Sequence, residues 1–360
     1  MREHILTDAV AGGDSSVFLT SDGRLYASGL NSYGQLGDGT KTTRYEPVPV
    51  MSGHTMSTAS VGALHTMFLT SGGEAYAAGR NNYGQLGDGS TTDRTTPVQV
   101  MSGYTVASIV AGAHHTVFMV ISNAARSTSV NRQVYAVGWN GDGQLGDGAS
   151  TDRSSPVRVM SAYKVTNAAA GGAHTVYLTS DGQAFATGRN EEGQLGDGTT
   201  TGKSTPEQVL SKYTVVKASA GSYHTMFLTH DGKVFVTGSN SHGQLGVGSA
   251  DDSIFTPVEA MSGRTVMSMA AGYSHTLCVT SEHKVYAAGS NEHGQLGDGT
   301  SENRLTLTSR THHHADRHRH TDRHGCPHLN TMGVTHHVTI YHADRHRHTH
   351  SNGHPHHGTF

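Results

Sequence analysis

Short runs of apolar and β-branched residues alternate with polar, glycine-rich turns along most of the chain. In one typical stretch, a weak run ends at Gly62, a stronger run occupies residues 66–70, and a third occupies residues 74–79. Ser-Gly-Gly between the last two runs predicts a hairpin turn, because glycine adopts positive φ at little cost. A long glycine-rich loop and a fourth run at residues 97–101 follow. The pattern predicts four short antiparallel strands.

A four-stranded unit of this kind has apolar side chains on both faces. It cannot bury both faces alone, so neighbouring units have to stack against each other. Radial stacking of such units produces a β-propeller. No segment shows an apolar period of 3.6 residues long enough to predict a helix instead. The predicted fold class is therefore all-β, a β-propeller of four-stranded blades.

The unit recurs six times in the sequence. The string GQLG begins at offsets of 50, 59, 50, 50 and 51 residues, and its leading glycines are Gly34, Gly84, Gly143, Gly193, Gly243 and Gly294. An asparagine stands three residues before each of these glycines. A His-Thr pair follows a small-residue turn in five units, with its histidine at His65, His115, His174, His224 and His275. The first unit has Ser-Ser at this place. Six matches in phase identify tandem repeats.

The repeats place six blades at about residues 4–51, 55–101, 105–160, 164–210, 214–261 and 265–309. In the third blade, a polar segment from Ile121 to Gln133 replaces the hairpin turn and accounts for the 59-residue offset, and we expect an exposed excursion there. The chain starts at the first strand of the first blade, so no donor strand is expected to close the ring. Whether six blades close it or leave a seventh place open stays undecided at this point.

Composition and charge narrow the function classes. Glycine accounts for 46 of 360 residues while proline accounts for 8, which fits a fold with many tight turns. The formal net charge of −3 argues against nucleic acid as the main ligand. Two cysteines cannot make a disulfide framework. No signal peptide and no run of 18 apolar residues is present, so the expectation is a protein of the cytoplasm or nucleus with no membrane partner.

The pattern VYAxGxNxxGQLGDG, later followed by AGxxHT, resembles the repeat of the regulator-of-chromosome-condensation family. Residues 134–148 and 285–299 carry it most clearly, and the resemblance covers residues 1–305. It implies a propeller, usually of seven blades, that recognises protein partners. Members include exchange factors for a small nuclear GTPase, ubiquitin-ligase modules, membrane-traffic proteins and a plant ultraviolet receptor. The receptor branch needs clustered tryptophans, and Trp139 is the one tryptophan of the chain.

The resemblance favours a non-enzymatic protein-interaction scaffold without a cofactor. The alternative that it implies is guanine-nucleotide exchange on a Ran-type small GTPase, but exchange factors of the family use a projecting wedge between blades, and the segment from Ile121 to Gln133 lies in a different hairpin position. No Ser-His-Asp, Cys-His or paired-carboxylate arrangement stands out, because in a repeat protein such combinations recur by construction. The identity of the partner and the oligomeric state cannot be predicted.

The recurring polar residues are interpreted mainly as structural. The five histidines are too far apart around a ring to share one metal ion, and we expect them to bond backbone groups between strands. The aspartates of the GQLGDG strings should close turns, since one carboxylate per loop offers too few oxygens for calcium. A cation recurs in the loop before the outer strand, and on one rim these cations could bind an acidic partner, or they could simply protect an edge strand: Arg44, Arg94, Arg153, Lys203 and Arg304.

The tail at residues 311–360 carries none of the repeat marks and holds 16 of the 28 histidines. One hypothesis is a metal-binding tract, since imidazole binds zinc, copper or nickel. The other is a disordered low-complexity segment, and one hypothesis for its origin is a wrong-frame translation of repetitive DNA that replaced a true seventh blade. The disordered interpretation is favoured, because compositional bias alone fixes no coordination geometry. The candidate ligands are His312, His314, His318, His320, His346 and His348.

Overall fold

The computed structural model describes residues 5–121, 132–250 and 253–309, and these residues form strands and turns without a helix. Twenty-four strands make six antiparallel sheets, and each sheet consists of four consecutive strands in sequence order. The predicted fold class, a propeller of six four-stranded blades, is confirmed. The four described strands of every blade are consecutive in the chain, so none of these 24 strands is donated from one end of the chain to the blade at the other end.

The strand bounds show how closely the blades repeat. Blade 1 contains β1 (Leu6–Gly12), β2 (Ser15–Thr20), β3 (Leu25–Gly29) and β4 (Arg44–Val50). Blade 2 contains β5 (Met56–Val61), β6 (His65–Thr70), β7 (Ala75–Gly79) and β8 (Arg94–Val100). Blade 3 contains β9 (Thr105–Ala111), β10 (His115–Ile121), β11 (Arg132–Gly138) and β12 (Arg153–Val159).

The second half of the chain follows the same scheme. Blade 4 contains β13 (Val165–Ala170), β14 (His174–Thr179), β15 (Ala184–Gly188) and β16 (Lys203–Val209). Blade 5 contains β17 (Val215–Ala220), β18 (His224–Thr229), β19 (Val234–Ser239) and β20 (Ser253–Glu259). Blade 6 contains β21 (Val266–Ala271), β22 (His275–Thr280), β23 (Val285–Gly289) and β24 (Arg304–Ser309).

The antiparallel order gives the propeller two distinct faces. The turn between the first and second strands and the long GQLG loop between the third and fourth strands lie at the same end of each blade, which we call the loop face. The hairpin between the second and third strands and the connection to the next blade lie at the opposite end, the hairpin face. The first strands of all six blades line a central cavity of about 610 Å³, and the fourth strands lie outermost.

The hydrophobic core lies between blades. The described residues form five core clusters, and each is shared by two consecutive blades, from blades 1 and 2 to blades 5 and 6. Side chains of the second strand alternate between the two neighbours. In β6, Phe68 packs with Val17 of blade 1, while Met67 and Leu69 pack with Phe118 of blade 3. This alternation follows from the two-residue period of a strand.

The recurring histidines cross these interfaces, but the expected backbone partner is wrong. The Nε2 atom of His115 lies 2.9 Å from the Oγ1 atom of Thr175 in the next blade, and His65, His174 and His224 make the equivalent bond over 2.8–3.1 Å. The partner is therefore the threonine of the next blade's own His-Thr pair. One dipeptide supplies a group to each neighbour, because its two side chains point to opposite faces of the sheet.

Two further expectations need correction. The cations expected in a loop before the outer strand are the first residues of β4, β8, β12, β16 and β24. The segment that interrupts the third blade is shorter than Ile121–Gln133, because Ile121 pairs with Arg132 as the last rung of the β10–β11 hairpin. Residues 122–131 lie outside the described residues. In blade 6, Leu307 replaces the proline of the other blades, and β24 still forms and packs on Gly246 of blade 5.

Candidate functional site

The GQLG loops are held in one shape by a buried asparagine. In blade 2, the Oδ1 atom of Asn81 accepts a hydrogen bond of 3.0 Å from the backbone N–H of Leu86. Its Nδ2 atom donates to Asp88 at 3.0 Å and to the backbone oxygens of Ser90 and Thr92 at 3.1 Å. Asn81 is fully buried, so its polar groups replace bonds that water would otherwise make. The loop is thereby a rigid platform.

The aspartate of each GQLGDG string closes the same network. The Oδ1 atom of Asp88 accepts a hydrogen bond of 3.0 Å from the backbone N–H of Ser90, which confirms the expected turn closure. Its Oδ2 atom lies 2.7 Å from Arg94. Burial alone would raise the pKa of Asp88, but hydrogen bonds from Ser90, Arg94 and Asn81 outweigh it and lower that pKa. The carboxylate is therefore ionised and engaged within its own loop.

These ion pairs account for all five recurring cations. Arg44, Arg153 and Arg304 pair with the aspartate of their own loop at 2.6–2.8 Å, as Arg94 does, and Lys203 lies 3.6 Å from Asp197. Each cation serves a different blade, and its charge is balanced locally. The suggestion that they bind an acidic partner together stays a prediction, and the ion pairs give a sufficient structural reason for their recurrence.

The loops of blades 1–5 also pack on the next blade. Gly84 has a φ of +75°, and a Cβ atom placed on it would lie 2.3 Å from the Cα atom of Ser154 in blade 3. Any other residue would push the two blades apart, which explains this glycine without a ligand. No group of three or more histidine, cysteine, aspartate or glutamate side chains that could hold a metal ion occurs in residues 5–121, 132–250 and 253–309. The candidate histidines of the tail lie outside these ranges.

The positions that vary from repeat to repeat build a different kind of surface on the loop face. Five such residues from blades 1–3 lie close to the buried asparagines and histidines. We call this group the aromatic cluster, and it consists of Tyr33, Arg80, Tyr83, His114 and Trp139. The guanidinium of Arg80 lies 5.1 Å from the ring centroid of Tyr33 and 5.9 Å from that of Tyr83. Tyr83 lies 5.6 Å from His114 and 6.1 Å from Trp139, centroid to centroid.

All five side chains of the aromatic cluster are partly exposed. Burial, and then the charge of Arg80, lowers the pKa of His114 to about 4, so this imidazole is neutral at physiological pH. Its buried Nδ1 atom has no hydrogen-bond partner within the described part of the chain. A rigid, partly solvated group of aromatic rings with one arginine is therefore available to a ligand from the loop face, while the Nδ1 atom of His114 lies beneath it.

A second group continues the loop face over blades 4–6. Arg189 lies 5.4 Å from the ring centroid of Tyr223, which packs edge-on against Tyr273 at 6.3 Å. Arg189 also pairs with Glu191. Burial raises the pKa of Asp142, and the nearby charges of Arg189 and Glu191 act on it in opposite directions. The aromatic cluster of blades 1–3 thus contains Arg80, whereas Arg189 of blade 4 lies beside two carboxylates, Asp142 of blade 3 and Glu191 of blade 4.

The sequence prediction did not identify the aromatic cluster. The search for repeated marks selects residues that all blades share, and those residues maintain the blades. The available signal was the reverse pattern: Arg80, Trp139 and Arg189 occupy the same place before the asparagine, where the other blades have Leu30, Ser239 and Ser290. Large side chains at non-repeating positions of a repeat indicate a role outside the common fold.

Comparison with known families shows a match over most of the chain. A model described as the regulator of chromosome condensation repeat matches residues 22–69, 72–119, 133–178, 181–228 and 231–279. A second model with the same description matches five shorter segments between residues 7 and 295. Each segment of the first model starts near the hairpin of one blade and ends in the second strand of the next, so a sequence repeat spans the interface between two blades.

Curated and solved proteins share this repeat. The human E3 ubiquitin-protein ligase HERC2 is 41% identical over 54 residues, which is 14% of this chain and 1% of that protein. The chain therefore spans a small part of the length of that relative. The crystal structure of human WBSCR16 has a TM-score of 0.75 at 22% identity and covers 86% of this chain and 82% of its own. Yeast RCC1 (Prp20), bound to Kap60, has a TM-score of 0.74 at 19% identity and covers 84% of this chain and 74% of its own.

Proposed function

Because the chain belongs to the regulator of chromosome condensation repeat family, we propose that it is a non-enzymatic scaffold that binds a protein partner on its loop face. The single observation that carries this proposal is the aromatic cluster. It gathers two tyrosines, a tryptophan, a histidine and an arginine from three different blades onto one rigid surface. Tryptophan, tyrosine and arginine are the residues that most often dominate the energy of protein interfaces.

The physical properties of this surface fit a protein better than the other ligand classes. A formal net charge of −3 provides no general field for a nucleic-acid backbone. The described residues contain no helix long and apolar enough to cross a bilayer. A partner that offers an acidic side chain beside an apolar one would find Arg80 and Trp139 together.

One structural relative is described as binding other proteins. The crystal structure of Prp20p from Saccharomyces cerevisiae was described with its binding to Gsp1p and histones, and it has a TM-score of 0.71 at 21% identity over 84% of this chain and 76% of its own. Identity at this level establishes the fold and leaves the partner open. The aromatic cluster of this chain therefore has to be tested directly.

Affinity capture with matched variants tests the proposal. The protein is immobilised as the wild type, as the Arg80→Ala/Trp139→Ala double variant, and as Arg264→Ala. Arg264 stacks on Tyr286 at 4.8 Å in the connection on the hairpin face, so it is a matched arginine–tyrosine pair outside the loop face. We expect a protein retained by the wild type and by Arg264→Ala to be lost from the double variant, with at least about tenfold weaker binding once purified.

Equal retention by all three forms would overturn the assignment of the loop face. A nucleotide-release assay with a Ran-type GTPase separates the scaffold from an exchange factor. Unchanged release of a fluorescent nucleotide at saturating protein is the expected result. Accelerated release that the double variant abolishes would replace the scaffold with guanine-nucleotide exchange on the same face.

A further inference from the structure

The six blades share five interfaces, so blade 1 and blade 6 each have one sheet face without a neighbour among residues 5–121, 132–250 and 253–309. No core cluster within the described ranges joins blade 6 to blade 1. We call the outer side of blade 6 and the outer side of blade 1 the gap faces. Because the repeats align, the exposure of each residue on a gap face can be compared with that of the equivalent residues on the ten blade faces buried in the five interfaces.

The gap face of blade 6 lacks the cover that every preceding blade has. Val285 is 38% exposed, whereas the equivalent residues of blades 1–5 are at most 2% exposed. Leu277 lies on the same face in the adjacent strand β22, and it is half-buried where its equivalents in the other blades are fully buried. A Cβ atom placed on the leading glycine of the other five loops would lie 2.3–2.7 Å from an atom of the next blade, but nothing lies within 4 Å of that position at Gly294.

The gap face of blade 1 is likewise less buried than the equivalent faces of the other blades. Phe18 is half-buried, although its equivalents in blades 2–6 are fully buried against the preceding blade. Tyr45 is 95% exposed. Its counterpart in the third blade, Ser154, lies under the GQLG loop of the preceding blade. Blade 1 therefore presents an aromatic surface shaped to receive such a loop.

We propose that the two gap faces are a docking place for one further four-stranded blade of the same repeat type, supplied by another polypeptide. The five existing interfaces define what such a blade must offer. Toward blade 6, it needs an aromatic residue in its second strand, as Phe68 offers to blade 1, and an outer strand that fits beneath the loop at Gly294. Toward blade 1, it needs a GQLG loop that covers Tyr45 and apolar side chains that cover Phe18.

Two other occupants fit the faces less well. In a second copy of this chain, the blade that followed the inserted one would occupy the place of the first chain's own blade 1, because successive blades keep the same relation to each other. Residues 310–360 have the length of one blade, but their sequence has one short apolar run, at 338–341, and no GQLG string. This proposal does not depend on the loop face or on the function proposed for it.

The test uses the full chain and a fluorescent polypeptide that carries its fifth repeat, residues 210–260. A lone blade folds only when its faces are covered, so folding is coupled to binding. We expect saturable binding with one polypeptide per chain, detected by fluorescence anisotropy. We also expect slower hydrogen exchange in residues 275–299 and 15–29, measured by mass spectrometry with the polypeptide at saturation.

Matched substitutions decide where the polypeptide binds. Val285→Asp lies on the gap face of blade 6, and Val216→Asp makes the same change at a residue of blade 5 that is 48% exposed. Both valines are exposed, so both variants should fold. Binding should weaken at least about tenfold with Val285→Asp, or with Phe227→Asp in the polypeptide, and stay unchanged with Val216→Asp.

Three results would overturn the proposal. The first is no saturable binding, or equal binding by Val285→Asp and the wild type. The second is a dimer of the full chain that Val285→Asp dissociates, which would identify a second copy as the occupant. The third is binding of the polypeptide that becomes at least about tenfold tighter when residues 310–360 are removed, which would identify the tail as the occupant.

Discussion

At the scale of single residues, one buried pair of polar side chains joins each of blades 2–5 to the next blade. The imidazole of His115 meets the hydroxyl of Thr175, and that hydroxyl donates a hydrogen bond of 2.7 Å to the backbone oxygen of Gln144. Both side chains are fully buried. A buried polar group costs free energy unless it is paired, so the histidine and the threonine of each pair depend on each other.

Blade 1 lacks the histidine of this pair and therefore provides a natural control. It has Ser15 in place of the histidine, and the buried hydroxyl of Thr66 in blade 2 has no hydrogen-bond partner among the residues that the structure describes. We predict that Thr66→Val is neutral or slightly stabilising, because it removes an unpaired hydroxyl. The identical change Thr175→Val should lower the free energy of unfolding by about 1–3 kcal/mol, since it leaves His115 unpaired. Urea unfolding of the two variants measures the difference, and equal effects would contradict this account.

The buried histidines also make stability depend on pH. Burial, and then the charges of His115 and His224, lowers the pKa of His174 to about 3 in the folded protein. In the unfolded chain the pKa is about 6.5, so only the unfolded chain gains the proton between these values. The stability is therefore complete above pH 6.5 and falls as the pH drops toward 3. From pH 7 to pH 5, one such histidine accounts for a loss of about 2 kcal/mol.

We predict that His174→Gln, which keeps a donor for Thr225, weakens the pH dependence. Between pH 7 and pH 5 this variant should lose about 2 kcal/mol less free energy of unfolding than the wild type. Urea unfolding at the two pH values measures it. His230→Gln, at an exposed hairpin turn, serves as the matched control and should follow the wild-type profile. The same loss in His174→Gln and the wild type would place the acid sensitivity elsewhere.

At the scale of elements, the loops show which features a repeat pattern can predict. The string GQLGDG and its preceding asparagine identify a rigid turn, and the structure holds that turn by hydrogen bonds within about ten residues of chain. Blade 5 tests this dependence, because Val247 replaces the aspartate. There the Nδ2 atom of Asn240 bonds the backbone oxygen of Ser249, and its Oδ1 atom still accepts a hydrogen bond from the backbone N–H of Leu245. Local interactions of this kind can be recognised from spacing.

Interactions between blades were harder to predict from the sequence. The alternation in β6 predicts that Met67 and Phe68 point to opposite faces of the sheet. It does not show that the preceding His-Thr pair directs one side chain to each of the two neighbouring blades. The position of Arg94 was also misjudged, because a strand that starts with Arg-Thr-Thr has no apolar signal before Pro97. The aromatic cluster unites residues that are 106 positions apart, from Tyr33 to Trp139, and such proximity follows only from the assembled ring.

At the scale of the whole molecule, stability is a sum over neighbouring pairs. Each blade contacts the blades before and after it, as in other repeat proteins, so the two terminal blades receive support from one side only. Hydrogen exchange should therefore be fastest in blades 1 and 6 and slowest in blades 3 and 4. The half-buried Phe18 and Leu277 mark the two ends from which unfolding is expected to begin.

Closing the ring in one chain should remove both ends at once. We predict that a chain in which the fifth repeat, residues 210–260, is appended after Ser309 in place of residues 310–360 unfolds several degrees higher than the chain that stops at Ser309. The reason is that two further interfaces of the existing kind form while only one blade is added. Differential scanning calorimetry measures the shift. The appended repeat with Phe227→Asp should give a smaller increase, because its charge would face the apolar side of blade 6. If both appended repeats raised the midpoint equally, or if blades 1 and 6 still exchanged fastest, the added blade would lie outside the ring and the two gap faces would not be matched to one blade.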